Sequence, residues 1–180
     1  SERWTSAPGL EAAALSKGEW VGFIDSGDIL SPVALYHLLV EMEQKPNIDI
    51  FYSNQIELVP DSYVVRRIFS KAEFSWFTLV HFNYIDRFWV CRRSRLVGMD
   101  AGVQEWEFLL RMFEKGATFC LCPYYLYYRR ESCGPQIEES TRNLVANHLA
   151  RLGQGATGSK VPFNGKFFLK VEPKKPTPAE

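Results

Sequence analysis

Two aspartates, Asp25 and Asp28, directly follow an apolar run in this 180-residue chain. The run, from Trp20 to Ile24, predicts a strand that is covered on both faces. Open α/β sheets bind their ligands at the carboxyl ends of such strands. Carboxylate oxygens at that position suit Mg²⁺ or Mn²⁺, and Gly27 between them would let the backbone approach a ligand closely. A metal held there would neutralise charge on a diphosphate. The alternative is an acidic loop that only caps the next helix.

The elements on either side of this turn indicate an α/β sheet. Ser31 and Pro32 predict the start of a helix, with Ser as the N-cap and Pro at the first helical position. The expected apolar stripe of that helix consists of Leu35, Leu38, Leu39 and Met42. A second buried strand is predicted from Ile48 to Tyr52. The order strand, helix, strand predicts a parallel sheet.

The rest of the chain continues this alternation and then changes character. The predicted strands are 64–69, 88–91, 117–121 and 124–128, and the predicted helices are 8–16, 74–82, 104–115 and 137–152. A hairpin is expected around Asn164 and Gly165, and the residues from 173 to 180 are expected to be a Pro-rich linker or a disordered tail. We therefore predict a main domain over residues 1–135, a helix-and-hairpin extension over residues 136–172, and the tail.

Composition narrows the class of protein. Twenty-one basic residues balance 21 acidic residues, which argues against nucleic acid as a partner. No run of about 18 apolar residues predicts a membrane span, and the first nine residues lack the features of a signal peptide. The spacing of Cys91, Cys120, Cys122 and Cys133 suits neither a zinc site nor a redox pair, so we expect buried, reduced thiols. These features predict a cytoplasmic location, with a peripheral position at the inner face of the membrane as an alternative.

Five segments in order resemble family 2 glycosyltransferases of the GT-A fold. They are residues 17–32, 48–54, 83–85 together with 90–94, 104–111 and 126–130. The first resembles the family's approach to its DxD motif, and the fourth resembles the segment that carries its catalytic base. The resemblance covers about residues 5–135. It implies an incomplete, Rossmann-like GT-A sheet with helices on both faces. Residues 148–153, with the hairpin and the Pro-rich end, resemble the bridge to a second glycosyltransferase domain in tandem members.

The resemblance also implies a reaction and its donor side. The family transfers a sugar from a nucleotide-diphospho-sugar to a glycan or polysaccharide acceptor and inverts the anomeric carbon. By this likeness Asp25 contacts the nucleoside or its ribose, and Asp28, with Asp25, holds Mn²⁺ or Mg²⁺. Arg129 or Arg130 steadies the diphosphate, because a guanidinium binds phosphate through two hydrogen bonds. A second glycosyltransferase domain or another chain would be a partner.

On the acceptor side, Glu105 is implied to be the general base that takes the proton of an acceptor hydroxyl. Asn54, Asn83 and Trp106 are implied to lie beside the acceptor. Other interpretations remain open at this point. Glu105 also suits the first turn of a helix, where the helix dipole favours acids, and Trp106 also suits the core. His148 lies outside the matched catalytic region and is expected to be structural.

Four departures from the family pattern favour a second function. Gly27 occupies the usual middle acid of the DxD motif, Glu105 replaces the usual Asp, and Ser132 stands where a His is common. The family's first strand, the helix after it and the second strand, which bind the nucleotide base, are not matched. We therefore expect the chain alone to be inactive as a transferase. The alternative is a catalytically degenerate glycosyltransferase-like domain that scaffolds or binds a glycan or a partner, and an unrelated α/β binding module is a third class.

Overall fold

The computed structural model of the chain describes residues 13, 15–98, 103–130, 139–153, 156–163 and 166–173. It is a mixed α/β fold, which confirms the predicted class. The strands are β1 Trp20–Gly22, β2 Ile29–Leu30, β3 Ile50–Leu58, β4 Val65–Phe69, β5 Trp89–Arg92, β6 Phe119–Arg129, β7 Ala156–Phe163 and β8 Lys166–Pro173. The α-helices are α1 Ala34–Gln44, α2 Trp76–His81, α3 Glu105–Glu114 and α4 Glu139–Arg151, with a 3₁₀ turn at Arg93–Leu96.

The main sheet has six strands in the order β1-β5-β3-β6-β2, and β4 pairs with the far part of β3. Strands β1 and β3 are each antiparallel to β5, so they run in the same direction. Strand β6 is parallel to β3, whereas β2 is antiparallel to β6. The prediction of a parallel sheet is therefore correct for β1, β3 and β6, which share one direction, but the sheet as a whole is mixed, because the antiparallel β5 is inserted between the two strands joined by α1.

Helices cover both faces of this sheet, as predicted. Along β3, Ile50 and Tyr52 face one side and Phe51 faces the other, because successive side chains of a strand alternate. Leu38 of α1 packs in the cluster that contains Phe51. The larger cluster lies on the opposite face and takes side chains from α2, α3 and α4, including Leu79, Leu109 and Leu149.

Helix α1 begins later than the sequence predicts. Its N-cap is Val33, which makes no side-chain capping bond. The Ser31 hydroxyl instead accepts from the Val33 N–H at 3.4 Å, and the Ser31 carbonyl accepts from the Ala34 N–H at 2.9 Å. Ser31 and Pro32 therefore form a turn before the helix, and the predicted N-cap is wrong.

The predicted apolar stripe of α1 is also partly wrong. The buried positions are Ala34 and Leu38, one helical turn apart. Leu35 and Leu39, which were expected in the stripe, are 57% and 58% exposed. Ala34 packs in the same cluster as Leu38, so the buried face of the helix is shifted toward Ala34 and away from Leu35 and Leu39.

Strand β6 joins two predicted strands into one. Its register against β3 shifts on either side of Asn54, which pairs with Tyr125, so Pro123 is left out of the pairing. The Asn54 amide donates to the Pro123 carbonyl at 3.1 Å, and its carbonyl accepts from the Lys71 N–H at 2.8 Å. Pro123 therefore marks an irregularity that is bridged by a side chain, and pairing resumes beyond it.

The C-terminal part contains the predicted helix and hairpin. Leu144, Val145 and Leu149 of α4 are buried in the larger core cluster. Strands β7 and β8 form a separate antiparallel pair in which Phe163 lies opposite Lys166, and the predicted loop at Asn164 and Gly165 lies outside the described residues. The predicted helix over residues 8–16 and the tail fall mostly outside the described residues.

The cysteine prediction is correct for two of the three described thiols. Cys91 and Cys122 are buried and unpaired, as expected, whereas Cys120 is unpaired but only half-buried. Cys133 lies outside the described residues. Within the described ranges, no helix combines the length and the apolar character needed to cross a bilayer.

Candidate functional site

The directions of the strands bring the candidate residues to one edge of the sheet. The acidic turn follows the carboxyl end of β1, and residues 127–130 lie at the carboxyl end of β6. Strand β5 runs the opposite way, so its amino end, with Arg87 just before it, reaches the same edge. The sequence alone assigns the turn to this edge but not the beginning of β5.

The acidic turn is closed by its own backbone and held by β6. The Asp28 N–H donates to the Asp25 carbonyl at 3.2 Å. The Tyr127 hydroxyl accepts from the Asp25 N–H at 3.1 Å and donates to Asp28 Oδ2 at 2.6 Å. Asp28 Oδ1 accepts from the Arg130 N–H at 2.8 Å. One buried tyrosine and one backbone amide therefore fix both ends of the turn.

Tyr127 keeps its proton in this arrangement. Burial raises the pKa of the Tyr127 hydroxyl, and the hydrogen bond to Asp28 raises it further. Since the hydroxyl is the donor to Asp28 Oδ2, its protonated state is what stabilises the carboxylate. At Asp28 Oδ2 the donor is thus a neutral hydroxyl.

Arg87 joins the turn to helix α3. Its Nε lies 2.8 Å from Asp25 Oδ2, and its Nη1 donates to Glu105 Oε2 in a short hydrogen bond. The other oxygen, Glu105 Oε1, accepts from the Trp89 indole N–H at 2.9 Å. Residues 25 and 105, far apart in sequence, are thereby separated by a single guanidinium group.

The electrostatic state of Glu105 differs from that of an exposed acid. Burial raises the pKa of the Glu105 carboxyl above its ordinary value, although Arg87 and Trp89 act in the opposite direction. A carboxylate whose pKa is moved toward neutrality is a stronger base than an ordinary one. Glu105 is also the first residue of α3, as the interpretation based on the helix dipole requires.

The two candidate diphosphate ligands lie in different surroundings. Arg129 is 8% exposed and its Nη1 pairs with Asp86 Oδ2 at 3.0 Å. The same oxygen accepts from the Gln55 amide at 2.9 Å. Arg130 instead places its guanidinium 5.5 Å from the centre of the Tyr63 ring, and its Nε has no hydrogen-bond partner among the residues that the structure describes. Arg130 Nη2 donates to the Tyr63 hydroxyl at 3.3 Å, and it is the backbone N–H of Arg130 that contacts Asp28.

The residues assigned to the acceptor side are all tied to nearby backbone. Asn54 bridges the irregularity of β6, and the Asn83 carbonyl accepts from the Asp86 N–H at 3.1 Å. Trp106 is 8% exposed, and its indole N–H donates to the Leu79 carbonyl at 2.8 Å. None of these bonds reaches the acidic turn, and the surroundings of Trp106 are those of a core residue.

The acidic turn suits a divalent cation that also has ligands from outside the protein. Among the described residues, no group of three or more His, Cys, Asp and Glu side chains is arranged to hold a metal. Asp25 and Asp28 supply two carboxylates, and Asp25 is 42% exposed. Mg²⁺ is commonly held by one or two carboxylates together with substrate phosphates and water. The two aspartates therefore suit an ion that arrives with a diphosphate better than a permanently bound one.

Sequence reasoning missed Arg87, Trp89 and Tyr127. Tyr127 lies in a segment that was matched to the family, but nothing in the segment shows where its hydroxyl points. Arg87 carries a weaker signal, since it is one charged residue at the start of an apolar strand. Their roles depend on the antiparallel direction of β5 and on the register of β6.

The chain is similar in sequence to part of a longer protein. No family model matches the chain. The chain is 28% identical over 193 aligned residues to the O-antigen biosynthesis protein RfbC of Myxococcus xanthus. This alignment covers 97% of the chain but 15% of the relative. The chain thus resembles one segment of a much longer protein connected with O-antigen biosynthesis.

Proposed function

We propose that this chain is part of an inverting glycosyltransferase domain that builds a glycan or polysaccharide from a nucleotide-diphospho-sugar. The observation that carries the proposal is the junction of the acidic turn with Glu105 through Arg87 at one sheet edge. In such a domain the reacting sugar lies between the turn that binds the donor and the carboxylate that acts as the base. The two must therefore be near each other, and this junction brings them close together. Similarity to an O-antigen biosynthesis protein supports the same class of substrate.

In the proposed reaction Glu105 takes the proton of an acceptor hydroxyl. The hydroxyl oxygen attacks the anomeric carbon, the bond from that carbon to the phosphate oxygen breaks, and a nucleoside diphosphate leaves. Asp28 and Asp25 would hold Mg²⁺ or Mn²⁺, which supplies positive charge to the leaving diphosphate. The side chain of Arg130, whose backbone N–H binds Asp28, would add a cation next to the leaving diphosphate.

The replacement of the usual Asp by Glu at position 105 has a local explanation under this proposal. The longer side chain reaches both the Arg87 guanidinium and the Trp89 indole. These two bonds fix the carboxylate, so the additional methylene does not leave it loose.

A second candidate is a degenerate glycosyltransferase-like domain that binds a glycan or a partner. The observation that favours it is that each oxygen of Glu105 and each oxygen of Asp28 already accepts a hydrogen bond from the protein. Carboxylates held in this way can be purely structural.

Calorimetry and a transfer assay test the proposal. The chain, and any longer protein that contains it, is titrated with UDP, GDP and dTDP in the presence of Mn²⁺ and then assayed for nucleoside diphosphate release from the matching sugar donors. We expect one nucleotide to bind, Asp28→Asn to weaken that binding at least about tenfold, and Glu105→Gln to lower transfer by ~10²- to 10⁴-fold with binding retained.

Glu107→Gln is the matched control, because Glu107 lies on the same helix but pairs with Arg111 at 2.7 Å. It should leave both binding and transfer close to wild type. Absence of nucleotide binding in every form of the protein would contradict the proposal. Glycan binding that is indifferent to Asp28→Asn and Glu105→Gln, without transfer, would support the degenerate domain instead.

A further inference from the structure

Arg87 lies at the centre of the candidate site, between the acidic turn and Glu105, and has no role in the reaction proposed above. Its side chain is 28% exposed, that of Asp25 is 42% exposed and that of Glu105 is 22% exposed. The guanidinium therefore lies in a partly shielded position between two carboxylates. Its separate nitrogen atoms serve them: Nε contacts Asp25 and Nη1 contacts Glu105.

We propose that Arg87 is a positioning residue that fixes the carboxylate of Glu105 against the Trp89 indole and is itself held in place by Asp25. The catalytic meaning of this role rests on the proposed function, because it is Glu105 as the base whose orientation would matter. The physical role stands independently of it and concerns only how one side chain is held.

The geometry of Glu105 supports this role. A glutamate at the start of a helix has three rotatable side-chain bonds and no inherent reason to adopt one orientation. Here Arg87 donates to one carboxylate oxygen and Trp89 donates to the other. Two donors on opposite oxygens set both the direction and the plane of the carboxylate, which one donor alone cannot do.

The charges around Glu105 make Arg87 the important member of this pair. Asp86 is close enough to act on Glu105 with a like charge, and it is itself paired with Arg129. Trp89 is neutral. Across the part of the chain that the structure describes, Arg87 is the cation that contacts Glu105. Without it, a largely shielded carboxylate would keep only one neutral donor, and rotation toward water would become favourable.

Asp25 provides the second attachment of Arg87. A salt bridge at 2.8 Å from Nε leaves Nη1 directed at Glu105. Since an arginine side chain loses considerable rotamer freedom when it is fixed, this second attachment lowers the remaining cost of holding Glu105. Loss of Asp25 should therefore loosen Glu105 in the same direction as loss of Arg87, but by less.

Hydrogen exchange of the Trp89 indole N–H tests the proposal in the intact chain. The chain has five tryptophans, so the ¹H–¹⁵N indole signal of Trp89 is assigned with a Trp89→Phe variant. We expect exchange of this N–H to be at least about tenfold faster in Arg87→Gln than in wild type, and intermediate in Arg87→Lys, which keeps the positive charge but has one nitrogen where arginine uses two. Asp25→Asn should show a smaller acceleration.

Arg111→Gln is the matched control, since it removes an arginine from the glutamate partner of the same helix, Glu107. It should leave Trp89 exchange unchanged. An unchanged Trp89 exchange rate in a folded Arg87→Gln protein would overturn the proposal, as would equal acceleration in the Arg111 control. If Arg87→Gln does not fold, Asp25→Asn decides: acceleration supports the proposal and wild-type exchange overturns it.

This measurement uses no donor, acceptor or metal. A chain that binds no nucleotide can still show the expected exchange pattern, and an active transferase can fail to show it. Failure of the positioning role is therefore distinguishable from failure of the proposed function.

Discussion

The Tyr127 hydroxyl is shared by both aspartates of the acidic turn. It accepts from the backbone of Asp25 and donates to the carboxylate of Asp28. Burial of the ring in the cluster beside α1 leaves no room for the hydroxyl to be replaced by bulk water. A group that satisfies two partners at once is expensive to remove, because each partner loses its hydrogen bond.

We therefore expect Tyr127→Phe to lower the free energy of unfolding by about 1–3 kcal/mol. The change keeps the ring and removes only the hydroxyl, so the loss reports on the turn and not on packing. Urea unfolding followed by circular dichroism measures it.

Tyr128→Phe is the control on the same strand. Within the described ranges its hydroxyl makes no hydrogen bond, so stability should change by less than about 0.5 kcal/mol. Equal losses in the two variants would mean that Tyr127 does not hold the turn.

For single residues, the sequence predicts the site residues that are close together in the chain. It misses those that are distant in sequence and are brought near by the fold. Asp25 and Asp28 are recognisable because two acids follow one apolar strand. Tyr127 lies 102 positions from Asp25, and its part in the turn depends on the register of β6, which no local pattern specifies. The same holds for Arg87.

Helix α4 is attached to the rest of the fold by a buried polar chain. The Trp76 indole N–H donates to His148 Nε2 at 2.9 Å, so the proton of the neutral ring is on Nδ1, which faces Glu114 Oε1 at 2.6 Å. Arg151 pairs with the same carboxylate at 2.7 Å. His148 is fully buried, in agreement with the structural role expected from the sequence.

Stability should therefore fall in mild acid. Burial lowers the pKa of His148 below its ordinary 6.5, Arg151 acts in the same direction, and Glu114 opposes them. As pH falls through the unfolded pKa, the unfolded chain binds a proton that the folded chain resists, so the free energy of unfolding decreases. We expect the urea midpoint to be lower at pH 5.5 than at pH 7.5.

His148→Gln should lower stability at pH 7.5 by about 1–3 kcal/mol and flatten this pH dependence, because the new side chain does not titrate. His81→Gln is the control, since His81 lies on a different helix and hydrogen-bonds the Phe77 carbonyl of that helix at 2.7 Å. A pH dependence that persists unchanged in His148→Gln would show that another group is responsible.

For helices and strands, hydrophobic periodicity predicts well where an element occurs in the chain. It predicts less well which face of a helix contacts the sheet. The amphipathic helix expected at 104–115 is found as α3, with Phe108, Leu109 and Leu110 buried. In α1 the pattern offers too many apolar residues: Leu35, Leu38 and Leu39 all suit a stripe, and the neighbouring Ala34 decides which face approaches the sheet. Tertiary fit selects among faces that the sequence leaves equivalent.

For the whole molecule, helix α4 of the C-terminal extension shares a core cluster with the main sheet. Leu144, Val145 and Leu149 of α4 pack in the same cluster as the β3 side chains Ile50 and Tyr52. By contrast, β7 and β8 form a sheet of their own. These two parts of the C-terminal extension should therefore differ in their importance for folding.

Two truncations test this difference. A chain ending at Arg130 lacks α4 and leaves a large apolar surface uncovered, so we expect no cooperative unfolding transition. A chain ending at Gly153 keeps α4 and should unfold in one transition. The measurement is thermal unfolding by calorimetry. A cooperative transition in the shorter chain would show that α4 is an accessory to a core that is complete without it.

The α/β class and the helices on both faces follow from the sequence because they depend on local patterns. The mixed direction of the sheet does not, because β5 enters between β1 and β3 from much later in the chain. The same insertion places Arg87 next to the acidic turn. Strand β5 is therefore both the strand that the topology prediction missed and the one that brings Arg87 to the candidate site.

Gly27 of the acidic turn has a backbone φ of +87°, and an added Cβ would meet nothing within 4 Å. The position is therefore not short of space. A positive φ is unfavourable for any L-amino acid other than glycine, whatever the size of its side chain, because its Cβ strains the backbone in this conformation. Its mirror image carries no such cost. Chirality, and not volume, is what the turn demands here: D-alanine would sit where L-alanine is strained.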